Sequence, residues 1–185
     1  YSGLGGRPFW NSAVLAPRFL ASAFAAGPAF LILTLAALSR FTTYPVPARA
    51  FMTLRSVVAV SLTINMFLLG SEAFTEFYTR SAHGASAVYL FLGLHGRNAL
   101  VPWIWSAIAL NTVALTLLYL PVTRRPVPLM AACIMLIVGI WIEKGMGLIV
   151  PAFIPTPLGE IVEYLPTLNE TLVTVGIWAA GLLIY

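Results

Sequence analysis

The chain has 185 residues, of which 60% are hydrophobic and only 9% are charged, and its mean hydropathy is +0.93. Because soluble domains carry about 25% charged residues, this composition predicts an integral membrane protein. The formal net charge of +4 comes from scattered basic residues without Lys/Arg runs, so we expect no nucleic-acid partner. The single cysteine, Cys133, excludes an internal disulfide and an all-cysteine metal cluster within this chain.

Apolar stretches separated by proline-containing breaks predict an all-α membrane protein, since about 20 apolar residues cross the hydrocarbon core. About five transmembrane helices are expected, at about residues 12–39, 48–79, 98–120, 127–150 and 168–185. They would form a single transmembrane domain over residues 1–185. Because the chain lacks an initiating Met and stops inside an apolar stretch, we expect it to be a fragment of a longer polypeptide.

Two smaller features complete this outline. Thr167 and Glu170 have the spacing of a capping box, which predicts the start of the fifth helix there. The apolar piece at 85–94 is too short to span, so we expect an interfacial or re-entrant segment.

Basic residues in two short loops predict the orientation. The loop after the first helix holds Arg40 and Arg49, and the loop after the third holds Arg124 and Arg125; neither contains an acid. Because cytoplasmic loops are enriched in Lys and Arg, this end is predicted to face the cytoplasm. The chain would then be a multi-pass protein of the cytoplasmic (inner) membrane, with residues 151–167 facing outward.

Charged residues on three predicted helices fall at one depth near the outer end. Glu72 and Glu76 are four residues apart and share a helical face, so repulsion favours protonation of one or a cation between them. Arg18 or Lys144 could supply that cation. Glu143 and Lys144 are adjacent and point about 100° apart, so we expect each to find a partner elsewhere rather than to pair with each other.

These charges are either helix-end anchors and packing ion pairs or the lining of a shared polar pocket. A pocket of carboxylates, histidines and aromatic rings at the membrane edge suits a quinone, whose ring exchanges protons while its tail stays in lipid. The candidate catalytic, proton-handling residues are Glu72, Glu76, Glu143 and His95. The candidate cofactor-binding residues are Arg18, Lys144, His83 and Trp10, and no metal site is predicted.

The two histidines argue against haem. A b-type haem in a helix bundle takes inward-facing histidines from helices, whereas His83 and His95 flank the non-spanning segment. Either histidine could relay protons, donate a hydrogen bond to a quinone carbonyl, or be a plain interfacial residue.

Four strings of the sequence carry a family resemblance. GRPFWNSAVLAPRFLASAFAAGPAF (Gly6 to Phe30) resembles the helix opening of the polysulfide reductase/NrfD-type membrane subunits. SEAFTEFY (Ser71 to Tyr78), GLHGRNALVPWIW (Gly93 to Trp105) and WIEKGMGLIVPAFIPTPLGEIVEYLPTLNE (Trp141 to Glu170) resemble the DsrP-like branch of that family. The last string is the most specific of the four.

The resemblance implies the C-terminal half of a roughly ten-helix NrfD-like bundle, without haem or an iron–sulfur cluster of its own. Such a subunit exchanges electrons between menaquinone, bound as substrate, and an extracytoplasmic ferredoxin-like iron–sulfur subunit. It belongs to a respiratory oxidoreductase complex with other membrane subunits and multihaem cytochromes, and the DsrP-like branch is tied to dissimilatory sulfur metabolism.

Two other functions stay open at the level of sequence. A proton-conducting or transporter subunit would use Arg55, Asn65 and Asn111 together with the outer carboxylates as a transmembrane path. A structural anchor would hold peripheral subunits to the membrane without a quinone site of its own.

Overall fold

The computed structural model describes residues 7–43, 45–79, 84–156, 159–163 and 166–184, so the candidate residue His83 lies outside the described residues. Within these ranges the regular structure is helical, and Leu94 and Arg97 form one isolated bridge. The six α-helices are α1 (Leu15–Phe41), α2 (Ala48–Thr79), α3 (Ala85–Phe91), α4 (Val101–Tyr119), α5 (Pro126–Lys144) and α6 (Leu168–Ile184).

Four of these helices are long and apolar enough to cross a membrane: α1, α2, α4, and α5 with its continuation to Phe153. The predicted bounds of α2 are confirmed, whereas α1 and α4 each begin three residues later than predicted. The predicted fourth span, 127–150, is an α-helix only as far as Lys144 and continues as a π-helical turn, Gly145–Ile149. Two glycines within this turn weaken the preference for a regular α-helix, and single π turns are frequent at functional sites.

The four long helices form a bundle in which α5 packs against α1 and α4, and α2 packs against the same two helices. Small side chains at the crossings let the helices approach closely, as in other membrane bundles. The first apolar cluster fills the half of the bundle near the two basic loops. Its residues are Ala25, Ala29, Ile32, Val58, Ala59, Leu62, Ala114, Leu118, Leu129, Ala132, Cys133, Leu136 and Ile140.

A second apolar cluster closes the opposite end of the bundle. It is built from α3, the start of α4, and the turns on either side, and consists of Phe9, Leu15, Ala87, Tyr89, Leu90, Leu100, Ile104, Leu148, Ala152 and Ile154. With seven residues, α3 is too short to span, which confirms that part of the prediction. Ser86 Oγ donates to Ile154 O at 2.6 Å and so fixes α3 to the segment after α5.

The fifth predicted span corresponds to α6, a shorter apolar helix of 17 residues. Its capping box is confirmed, because Thr167 N donates to Glu170 Oε2 at 2.7 Å. The described side chains of α6 are all exposed, and Trp178 meets Trp141 of α5 at 6.2 Å between ring centroids. This apolar surface is therefore suited to lipid or to other helices.

The two basic loops lie at the same end of the bundle, as predicted, because Arg40 and Arg124 border one groove. At this end Arg55 of α2 binds the C-terminus of α4. Its Nε donates to Thr123 Oγ1 at 2.8 Å, and its Nη2 donates to the carbonyl oxygens of Leu118 and, at 3.1 Å, Leu120. A cation at the last carbonyls of a helix satisfies free acceptors and opposes the negative end of the dipole.

Replacing Arg55 should therefore destabilise the packing of α2 on α4. We expect Arg55→Gln to lower the free energy of unfolding by about 2 kcal/mol, the usual contribution of hydrogen bonds from a charged donor. Thermal unfolding of the purified protein in detergent measures this. Arg49→Gln, at the same end, is the control and should change stability little; equal losses in both variants would contradict the capping role.

Candidate functional site

Glu143 of α5 is fully buried and accepts hydrogen bonds from side chains on all four long helices. Its Oε1 accepts from Arg18 Nη2 of α1 at 3.1 Å and from Lys144 Nζ of α5 at 3.0 Å. Its Oε2 accepts from Asn65 Nδ2 of α2 at 3.0 Å and from Asn111 Nδ2 of α4 at 3.1 Å. An ionised carboxylate can accept about four such bonds, so this group is saturated with donors.

Arg18 joins Glu143 to a second carboxylate, Glu72 of α2. The guanidinium is 2% exposed and pairs with Glu72 through Nη1 while Nε and Nη2 face Glu143. A planar fork of five donors suits a cation that must serve two carboxylates at once. Of the two cations considered for the space between Glu72 and Glu76, Arg18 pairs with Glu72, whereas Lys144 pairs with Glu143. We refer to Arg18, Glu72, Glu143, Lys144, Asn65 and Asn111 as the ion cluster.

The prediction that Glu143 and Lys144 do not pair is wrong. Lys144 Nζ lies 3.0 Å from Glu143 Oε1, although the two residues are adjacent in α5. The directions of their Cα–Cβ bonds do diverge, but the flexible four-carbon stem of lysine carries the ammonium group round to the carboxylate. Lys144 Nζ also lies 5.3 Å from the ring centroid of Phe19, a cation–π contact with α1.

The ion cluster forms a polar layer between the two apolar clusters. Along α5 and the π-helical turn that continues it, Glu143 lies between Ile140 of the first cluster and Leu148 of the second. The same order holds on α1 and α4, where the flanking pairs are Leu15 with Ala25, and Ile104 with Ala114. In such a buried layer the attraction within each ion pair is stronger than in water. Loss of either partner is correspondingly destabilising, because it leaves a buried charge without its counter-charge.

Asn65 and Asn111 are site residues that the sequence interpretation assigned only to the proton-conducting alternative. A signal for Asn65 was available, because it precedes Glu72 by seven residues, or two helical turns, on the same face. Asn111 has no such signal, since its place depends on the pairing of α4 with α5. Its Oδ1 is buried and has no hydrogen-bond partner in the part of the chain that the structure describes.

A small space adjoins the cluster on the side of α3. Arg18, Glu72 and Glu76 line it, and its volume is about 10 Å³. That is close to the room needed by one water molecule and far too small for a quinone ring. Glu76 is half-buried and lies one turn beyond Glu72, toward the end of α2. The space therefore lies between the buried pair Arg18–Glu72 and a carboxyl group nearer the C-terminal end of α2.

The two remaining candidates within the described residues, His95 and Trp10, take no part in the hydrogen bonds found for the ion cluster there. His95 is exposed, with a φ of 53°, in the turn between Leu94 and Arg97. Trp10 Nε1 donates to Leu148 O at 3.0 Å, and its ring meets the ring of Phe153 edge-on, with 5.3 Å between the centroids. Trp10 therefore packs against the turns that follow α5. Among the described residues, no three His, Cys, Asp or Glu side chains are grouped to hold a metal ion.

A family comparison covers this whole arrangement. The sequence profile of the family described as polysulphide reductase, NrfD, matches residues 1–154, a range that contains α1 to α5 and every residue of the ion cluster. The chain belongs to the NrfD family. A search of curated proteins finds no match to it. NrfD proteins are multi-pass membrane subunits of quinone-linked redox complexes, where they assemble with other redox subunits.

At the end of this NrfD protein opposite the basic loops, the loop after α5 is attached to α3. Tyr89 OH donates to Glu163 Oε1 at 3.0 Å, and Ala99 N donates to the same oxygen at 3.2 Å. Burial, and next the hydrogen bond to Glu163, raises the pKa of Tyr89 to about 12. The phenol is protonated at neutral pH and donates to Glu163, so this hydrogen bond ties residues 159–163 to α3.

Gly139 gives Asn111 the room to reach Glu143. A Cβ atom at position 139 would lie 2.9 Å from Asn111 Cγ and 3.3 Å from Ala107 O, both closer than real Cβ contacts normally allow. Glycine is therefore required where α4 crosses α5, one turn before Glu143.

Gly139→Ala should push Asn111 off Glu143 and lower the free energy of unfolding by about 1–3 kcal/mol, because a buried acceptor loses a donor. Gly70→Ala is the matched control, since a Cβ there meets nothing and alanine favours the helix. Unfolding of both variants in detergent is the measurement. A Gly139→Ala protein as stable as the Gly70→Ala protein would show that Asn111 is not held as described.

Proposed function

We propose that this NrfD-family chain is the quinone-reactive subunit of a respiratory complex and exchanges electrons between menaquinone and an extracytoplasmic iron–sulfur partner. The observation that carries the proposal is the ion cluster. The Glu143 carboxylate is contacted from four spans and is bound to Arg18, which also pairs with Glu72. Arg18 and Glu72 in turn line the same small space as the half-buried Glu76. Charge is retained inside a membrane bundle where it has a function, and an acid–base path toward one surface is what quinone chemistry requires.

The ion pairs suggest a different role for each carboxyl group of the site. Arg18 and Lys144 pair with Glu143, and Arg18 also pairs with Glu72, so we assign these two carboxylates to ordering the site electrostatically. Glu76 is the group that we assign to proton exchange with the quinone. It borders the same small space as Arg18 and Glu72 and lies nearer the outer end.

Quinone reduction consumes two electrons and two protons, and quinol oxidation releases them. In this proposal the partner's iron–sulfur cluster exchanges the electrons, and Glu76 accepts or donates protons at a quinone oxygen. Because the space beside Glu76 is water-sized, the quinone ring would bind at the edge of the bundle and not inside the ion cluster. The exposed His95, in the turn after α3, remains a proposed proton relay on that side.

The finer assignments belong to the same proposal. The strings at Gly93–Trp105 and Trp141–Glu170 support the DsrP-like branch, which links the chain to dissimilatory sulfur metabolism. We also propose a roughly ten-helix assembly in the cytoplasmic membrane, a ferredoxin-like iron–sulfur partner and multihaem cytochrome subunits. The outward loop with Glu160 and Glu163 offers negative charge to such a partner.

The proton-conducting alternative has less support. A transmembrane path would have to connect Arg55 with Asn65, but Val58 and Leu62 between them are fully buried in the first apolar cluster. Arg55 itself is bound to the end of α4.

Glu76→Gln should lower quinol-dependent electron transfer by the assembled complex about 100-fold, the usual effect of losing a positioned acid–base group. The expected result is a lower turnover number with complex assembly unchanged. Glu170→Gln, an exposed carboxyl in the capping box of α6 where glutamine also caps, is the control and should retain turnover. Wild-type turnover in Glu76→Gln would remove it from the mechanism, and loss of assembly in place of turnover would favour a structural anchor.

A further inference from the structure

A groove of about 690 Å³ opens at the basic end of the bundle, opposite the outer site. It runs between the last turns of α1, the first turn of α2 and the first turn of α5. Most of its wall is apolar, and it includes Ile32, Leu33, Phe51, Met52, Leu129 and Met130. The groove is separated from the ion cluster by the first apolar cluster, so it is independent of the proposed quinone chemistry.

Two arginines border the groove, Arg40 in the last turn of α1 and Arg124 in the turn before α5. Both are exposed, and neither forms an ion pair with the described residues. The loops that carry them contain no Asp or Glu. By contrast, Arg55 at the same end already donates hydrogen bonds to carbonyl oxygens at the C-terminus of α4. The rim of the groove thus carries two positive charges without a protein counter-charge.

We propose that this groove binds an anionic phospholipid, with the phosphate between Arg40 and Arg124 and an acyl chain along the apolar wall. Guanidinium groups bind phosphate oxygens in a bidentate manner, and basic pockets between transmembrane helices bind anionic head groups. The same end carries the excess of arginine that is typical of the cytoplasmic face, where anionic lipid attracts basic residues.

The depth of the groove is what selects a lipid over a soluble anion. Ile32 lies two turns below Arg40 on α1, about 12 Å along the helix axis. A free phosphate would contact the arginines and leave this wall unused. An acyl chain, in contrast, covers apolar surface that the helices leave open beneath the charges.

The test uses the full-length protein in its complex, purified in detergent and stripped of lipid. Cardiolipin, phosphatidylglycerol or phosphatidylcholine is then added, and bound lipid is measured by native mass spectrometry together with the unfolding temperature. We expect the two anionic lipids, and not phosphatidylcholine, to bind and raise the unfolding temperature. Arg40→Gln and Arg124→Gln should each weaken anionic lipid binding about fivefold, since one basic residue contributes about 1 kcal/mol near a membrane surface.

Arg125→Gln is the matched control, because it removes a charge adjacent to Arg124 that does not line the groove. It should leave anionic lipid binding within about twofold of wild type. Three results would overturn the proposal: equal losses in Arg124→Gln and Arg125→Gln, equal protection by inorganic phosphate, or no retained lipid because another helix of the complex fills the groove.

Discussion

The buried carboxylate of Glu143 is the group on which the arrangement of the bundle depends. Arg18, Asn65, Asn111 and Lys144 donate to it from α1, α2, α4 and α5. Apolar clusters lie on both sides of this layer, and the four donors to Glu143 come from the protein itself. A carboxylate satisfied in this way fixes the rotation and depth of four helices relative to one another.

This constraint also divides the molecule into two ends with different properties. Toward the basic loops, the interior is apolar, and polar groups such as Arg55 bind helix ends or remain at the surface. Toward the opposite end, charged side chains continue from Glu143 through Arg18 and Glu72 to the space bordered by Glu76. A rigid, charge-balanced centre next to one half-buried carboxyl is a suitable basis for proton exchange at a membrane surface in an NrfD-type subunit.

Local periodicity was sufficient to predict four of the spans and the non-spanning piece that became α3. These features depend on spacing along one helix or on composition. The pairing of Glu143 with Lys144 was missed because side-chain reach overrode backbone direction. Asn111 and Gly139 could not be found because their roles exist only where α4 crosses α5. The π turn after Lys144 likewise depends on packing against α4, since Gly147 lies against Ile104.

A double-mutant cycle between Arg18 and Glu143 tests the central claim most directly. Free energies of unfolding would be measured in bicelles for Arg18→Met, Glu143→Gln and the double variant. If the pair is a buried ion pair, each single variant should lose about 3–5 kcal/mol, because removing either partner breaks the pair and leaves a net charge buried in the ion cluster. The double variant should then be more stable than the sum of the single losses predicts, by about 1–3 kcal/mol. Losses that add to within about 0.5 kcal/mol would contradict the account.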